Sequence, residues 1–132
     1  MRRTDWMIRL FDVIESTHNK PFEWGVNDCC LFAANCVEAI TDVDYAAKYR
    51  GKYSSEKGAY KLLKKSDIRK KLNEWFGEPK HPLTAKRGDV VMYSDDGGEY
   101  LGICLGTNCA FVTKDGLHYM YVNKCSSAWS ID

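Results

Sequence analysis

Residues 24–37 read WGVNDCCLFAANCV, and the reading of this stretch decides the fold. Asn27 and Asp28 are helix-capping residue types, because a short side-chain oxygen can accept from the free N–H groups of a first turn. Leu31, Phe32, Ala34, Val37 and Ile40 follow with the apolar spacing of a helix. The stretch predicts a helix from about Cys29 to Ile40, with two adjacent thiols on its first turn. A cysteine there sits in the partial positive charge of the helix N-terminus, which favours its thiolate. The competing reading is a sulfur-rich buried helix, since a free cysteine also behaves as a small hydrophobe.

Working outward, Trp6, Met7, Leu10, Phe11, Val13 and Ile14 predict a helix over residues 5–17, ended by Asn19-Lys20-Pro21. Phe22, Trp24 and Gly25 form a short aromatic loop. Asp44 to Tyr53 reads as a loop or short helix, with a turn at Gly51. Ser54 or Ser55 can cap a helix over Glu56 to Leu63, and Ser66 or Asp67 one that ends near Phe76-Gly77. Pro79 and Pro82 mark a connector. From Arg87-Gly88-Asp89 the character changes to short strands, over Val90–Tyr93, Tyr100–Leu105, Cys109–Thr113 and Leu117–Val122. Turns fall at Ser94–Gly98 and at Lys114-Asp115-Gly116, and Ala128–Ile131 adds an edge strand. Helices first and antiparallel strands after them argue an α+β class.

The 132 residues predict one domain, residues 1–132. Apolar residues make up 45% and charged residues 28%, a globular profile rather than a disordered one. No apolar run nears the roughly 20 residues that span a bilayer, so no membrane partner is expected. The first residues carry Asp5, Arg9, Asp12 and Glu15 where a signal peptide needs an unbroken apolar stretch, which predicts synthesis and folding in the cytoplasm. Six cysteines are then expected to stay reduced, with Cys36, Cys104 and Cys109 inside apolar stretches. His18, His81 and His118 are far apart and the cysteines lack paired zinc spacing, so no metal or other cofactor is expected. Lys48 to Lys71 holds ten Lys or Arg against two acids, a solvated helical face or a docking surface for an acidic partner. No nucleic-acid motif accompanies it, and nucleic acid is not expected as a partner.

Four elements in order carry a resemblance. They are Trp24-Gly25, Asp28-Cys29 opening an apolar helix, Arg87-Gly88-Asp89-Val90-Val91, and Leu101-Gly102-Ile103-Cys104-Leu105-Gly106. Together they resemble the NlpC-type cell-wall peptidases, which are papain-like α+β proteins. With Tyr49-Arg50-Gly51-Lys52-Tyr53, Asp115-Gly116-Leu117 and Ala128-Trp129, the chain looks most like a small branch of that superfamily found among phage and prophage tail-tip genes. The resemblance implies N-terminal helices packed on a C-terminal antiparallel sheet. It also implies Cys29 in the place of a nucleophile that attacks peptidoglycan stem peptides.

The departures are as informative. Tyr100 stands where the family carries its catalytic histidine, and Val112 near the polar third member of the triad. A phenol with a reference pKa of about 10 is a poor substitute at neutral pH for an imidazole near about 6.5. His118 is the candidate relocated base, although strand alternation groups it with Met120 and Val122 on one face. His81 lies in the connector and His18 at a helix end. Cys30 follows the nucleophile position where related peptidases usually carry a small polar residue, and Asp28 reads as a cap. The sequence therefore leads to a phage tail-tip-associated protein with a degenerate active site, which binds tail hub or tail-tip partners and is located at the virion tail tip. The alternatives are an active cysteine peptidase or amidase on peptidoglycan, using Cys29 with His118, and a small cytosolic host-takeover factor.

Overall fold

The helix that opens at Cys29 is the centre of the molecule, and it begins where Asp28 ends an extended segment. In the computed structural model, which describes residues 1–63 and 67–132, Asp28 has φ −122° and ψ 179°, and its carboxylate accepts from the Leu31 N–H at 2.9 Å. This helix, α2 (Cys29–Thr41), follows α1 (Trp6–His18). It buries Leu31, Phe32, Ala33, Cys36, Val37, Ala39 and Ile40. That is more than one stripe, as expected of a helix covered on two sides. It stops at Asp42, whose backbone is left-handed at φ +68°, a conformation that Asp tolerates better than most residues. The Asp42 carboxylate pairs with Arg3 and, at 2.8 Å, with Arg9 of α1, so the residue that ends α2 also ties α1 to it.

Two further helices, α3 (Glu56–Leu63) and α4 (Asp67–Phe76), precede the strands. Ser55 is the cap of α3, its hydroxyl accepting from the Gly58 N–H at 3.0 Å. Ser66 and the side chain of Asp67, the candidate caps of α4, lie outside the described residues. The strands are β1 (Val90–Asp95), β2 (Gly98–Cys104), β3 (Asn108–Thr113), β4 (Gly116–Tyr121) and β5 (Ser127–Trp129). They form one antiparallel sheet in the order β4-β3-β2-β1-β5. Alternation gives the sheet two apolar faces. Val90, Met92, Leu101, Ile103, Ala110, Val112 and Trp129 join the helices in the main core. Val91, Cys104, Cys109, Phe111, Cys125 and Ala128 form a smaller cluster on the other face.

Both hairpin turns are shorter than expected. β1 runs on through Ser94 and Asp95, which pair with Glu99 and Gly98, and only Asp96-Gly97 turns. Gly116 likewise begins β4 opposite Thr113. Polar and glycine residues read as turn, but ladder bonds are made by the backbone and are blind to side-chain polarity where the hairpin projects into solvent.

Asp89 closes the structure. It is 1% exposed, and its carboxylate meets Arg2 at 3.1 Å and Lys80 at 2.8 Å. It also accepts from the backbone N–H groups of Lys86 at 2.8 Å and Ile131 at 3.1 Å. The Gly-Asp pair read in the sequence as a family signature is thus the staple that joins the two chain ends to the connector before β1. Breaking a buried ion pair from one side leaves a charge without a partner, here Arg2 and Lys80 together. Asp89→Ala is expected to lower the unfolding free energy by about 3–5 kcal/mol, read as a lower urea midpoint at unchanged m-value.

Candidate functional site

The sheet splits at one end. β1 and β2 pair over their full length, and so do β3 and β4, but β2 meets β3 only at Ile103↔Ala110 and Cys104↔Cys109. Beyond those pairs the two hairpins diverge, and a cleft of 580 Å³ opens there. Trp24, Cys29, Tyr93, Tyr100, Phe111 and His118 are among the residues that line it. Gly102 sets the closest approach, because a Cβ there would stand 2.4 Å from the Ala110 carbonyl oxygen and 2.6 Å from the Phe111 ring.

The split leaves a ladder donor free for another task. Along β2 the N–H of Leu105 points to β3 and donates to the Asn108 carbonyl at 2.8 Å. Period-two alternation aims the Leu101 N–H the same way. At that point β3 has turned off, and the Leu101 backbone amide instead helps to lower the Cys29 thiol.

The other wall of the thiol is built from the loop before α2. Asp28 is 1% exposed, and besides capping α2 it accepts from the Gly25 N–H at 3.0 Å and the Tyr53 hydroxyl at 2.5 Å. Gly25 has φ +82°, and a Cβ there would lie 2.0 Å from the Tyr53 carbonyl oxygen, so only glycine fits. The Gly51 N–H donates to the Gly25 carbonyl at 2.9 Å, and Arg50 grips Asp44 with two bonds of 3.0 Å. The Trp24-Gly25…Asp28-Cys29 motif and the Tyr49–Tyr53 motif are therefore one structural unit. Burial, and then the bond to Asp28, push the Tyr53 hydroxyl far above its ordinary pKa, so it stays a donor.

Within this frame the two thiols divide. Cys29 is lowered below the ordinary thiol value, first by a hydrogen bond from the Cys30 thiol and next by the Leu101 and Cys30 N–H groups, against burial and the Asp28 charge. Cys30 is raised well above it, by the same bond and by burial. Both thiols line the cleft, and Cys29 is the one that ionises more readily.

Cys29, Tyr100 and His118 all line this cleft, from different elements. Tyr100 stacks on Tyr93 with ring centroids 6.0 Å apart, and its hydroxyl lies over the turn, 2.9 Å from where a Cβ of Gly97 would stand. Partial burial, then the charges of Asp95, Cys29 and Glu56, raise its pKa. Val112 is buried in the main core. His118 pairs in register with Phe111, which puts it on the sheet face away from α2, where it is exposed. His81 turns its ring back on its own chain, Nδ1 accepting from the Leu83 N–H at 3.1 Å, and His18 lies 2.8 Å from the Tyr119 hydroxyl. The basic stretch is partly committed internally. Arg50 serves the loop described above, and Arg69 donates to Ser127 at 2.9 Å and faces Glu99 at 3.8 Å. Lys52, Lys57, Lys61 and Lys70 are exposed, and Lys64 and Lys65 lie outside the described residues.

Among the described residues no group of three or more His, Cys, Asp or Glu is placed to hold a metal ion, and no helix is long and apolar enough to cross a membrane. The fold and site define a class: an α+β protein with a thiol of lowered pKa at the head of its central helix, lining an aromatic cleft in a split sheet. The chain belongs to the family described as "Domain of unknown function (DUF6950)", whose model matches residues 1–131. No curated protein matches it.

Two measurements probe this geometry. Alkylation of Cys29 by iodoacetamide, followed by mass spectrometry, is expected to titrate below the ordinary thiol midpoint of about 8.5. Cys30→Ala removes the main donor and should move that midpoint up, each unit reducing the thiolate fraction at pH 7 about tenfold. Tyr53→Phe leaves the buried Asp28 one donor short and is expected to cost about 1.5–3 kcal/mol of stability by urea titration, the range for hydrogen bonds to charged groups.

Proposed function

We propose that this chain is a phage tail-tip-associated protein with an NlpC-like papain fold, whose cleft binds a segment of a tail partner and whose thiol does not complete a peptidase cycle. Support for the fold comes from the Asp28-Cys29 pair opening the central helix and from the packing of that helix against the strand that carries Leu101-Gly102-Ile103. The observation that carries the functional reading is Tyr100. The resemblance aligns it with the family's base; it lines the same cleft as Cys29, and its proton is held more tightly than an ordinary phenol's. Such a group does not take up a proton near neutral pH and release it to a leaving amine. Amide cleavage without that transfer forgoes a factor of about 10²–10⁴. The aromatic walls and the exposed lysines along 48–71 then serve association, with the tail hub or a neighbouring tail-tip protein as partner.

One observation favours the second reading, a working cysteine peptidase or amidase on peptidoglycan peptides. The Cys29 thiol is lowered, and His118 lines the same cleft. The two readings part in one experiment. Purified chain is incubated with peptidoglycan, and tail proteins are co-expressed with it and recovered by affinity. The first reading expects no soluble muropeptides and stable co-purification that survives Cys29→Ala. Release of muropeptides that is lost in both Cys29→Ala and His118→Ala would replace it with the second.

A further inference from the structure

Three of the six cysteines lie on the sheet face away from α2, outside the cleft that holds Cys29. Cys104 on β2 and Cys109 on β3 face each other directly in register. Cys125 joins them in the same cluster, from the turn that leads into β5. Cys109 packs with both in this cluster, and its thiol lowers Cys104 and Cys125 below the ordinary thiol value. Cys104 also accepts from the Gly106 N–H at 3.4 Å.

Access distinguishes the three. Cys104 and Cys109 are fully buried, but Cys125 is 7% exposed and lines a second cleft of 440 Å³ beside Lys80, His81, Asn123 and Ser127. A small polar oxidant can reach Cys125 through this opening and neither of its neighbours. The bond from Cys109 lowers Cys125 below the ordinary thiol value and supports the nucleophilic form.

We infer that Cys104, Cys109 and Cys125 form an oxidisable thiol site, in which a hydroperoxide entering the second cleft oxidises Cys125 and Cys109 then closes a disulfide onto it. In the first step the Cys125 sulfur attacks the outer peroxide oxygen. The O–O bond breaks, the sulfur is oxidised to the sulfenic acid, and the peroxide is reduced to an alcohol, or to water from hydrogen peroxide. In the second step the Cys109 sulfur attacks the Cys125 sulfur, the S–O bond breaks, and hydroxide leaves as water with the Cys109 proton. Two thiols and one hydroperoxide thus give one disulfide, one alcohol and one water. A sulfenic acid with a thiol in contact follows this course rather than further oxidation. Cys104, which faces Cys109 in register, stays reduced beside the new disulfide.

The test uses the reduced full-length chain and hydrogen peroxide, with remaining thiols blocked by N-ethylmaleimide before tryptic mapping without reductant. Cleavage at Lys114 and Lys124 puts Cys109 and Cys125 on different peptides, so their disulfide appears as a joined pair. The joined pair is expected in the native chain, is expected to persist in Cys104→Ser, and is expected to vanish in Cys109→Ser, where Cys125 goes on to the sulfinic acid. The inference is overturned if Cys125 remains blocked by maleimide while Cys29 is oxidised. It is equally overturned if the bond forms only within the peptide that holds Cys104 and Cys109, or if joined peptides arise only after the chain is unfolded in urea. In the native chain, where no variant has to fold, fragmentation of the joined pair is expected to place the maleimide on Cys104, and maleimide on Cys109 overturns the inference.

Discussion

One buried carboxylate organises the site and the centre of the fold. Asp28 is almost wholly shut off from water, where an unpaired charge is very costly, and it is satisfied by three donors from three places in the chain. The Leu31 N–H fixes where α2 starts, the Gly25 N–H fixes the loop before it, and the Tyr53 hydroxyl fixes the segment before α3. The position of Cys29 is a consequence of these three bonds. The thiol is the residue after the cap, and the cap cannot move without stranding its donors.

A second carboxylate does the same at the opposite end. Asp89 gathers Arg2, Lys80 and the backbone near the C-terminus, and so connects the first residues, the connector and the last strand. Between these two anchors α2 is held against the sheet, and the divergence of β2 from β3 leaves the cleft. Each half of the divergent sheet is internally paired, β1 with β2 and β3 with β4. Leu101 is the instructive case, because its amide, on the side where β3 has turned off, helps to lower the Cys29 thiol. The same divergence that makes room for a ligand therefore also stabilises the thiolate at its edge.

Much of the local structure was legible in the residues. Asp28 as a cap, the span of α2, the helices of residues 56–63 and 67–76, and the alternation that puts His118 with Met120 all follow from side-chain chemistry and periodicity. The strand ends were less legible. Ser94, Asp95, Gly98 and Gly116 read as turn, yet they belong to strands whose pairing is made by backbone groups alone. The Arg87-Gly88-Asp89 run stood out as a motif, but its work as a staple depends on Arg2 and Lys80, and nothing local marks those two as its partners. The stretch around Tyr49–Tyr53 likewise read as an independent loop, because its contacts are to residues some 25 positions away.

The sequence by itself determined the class, the order of elements and the placing of two thiols on a helix start, since capping and hydrophobic period are local properties. Only the tertiary structure decided which thiol ionises more readily, because Cys29 is lowered by Cys30 and by the Leu101 backbone of the sheet while Cys30 is raised. It also decided that Tyr100 and His118 share a cleft with Cys29, and that Cys104, Cys109 and Cys125 come together on the far face. These are long-range juxtapositions set by strand register and by the point where β2 and β3 part. A pattern of residue types along a chain carries no signal for where two hairpins will diverge.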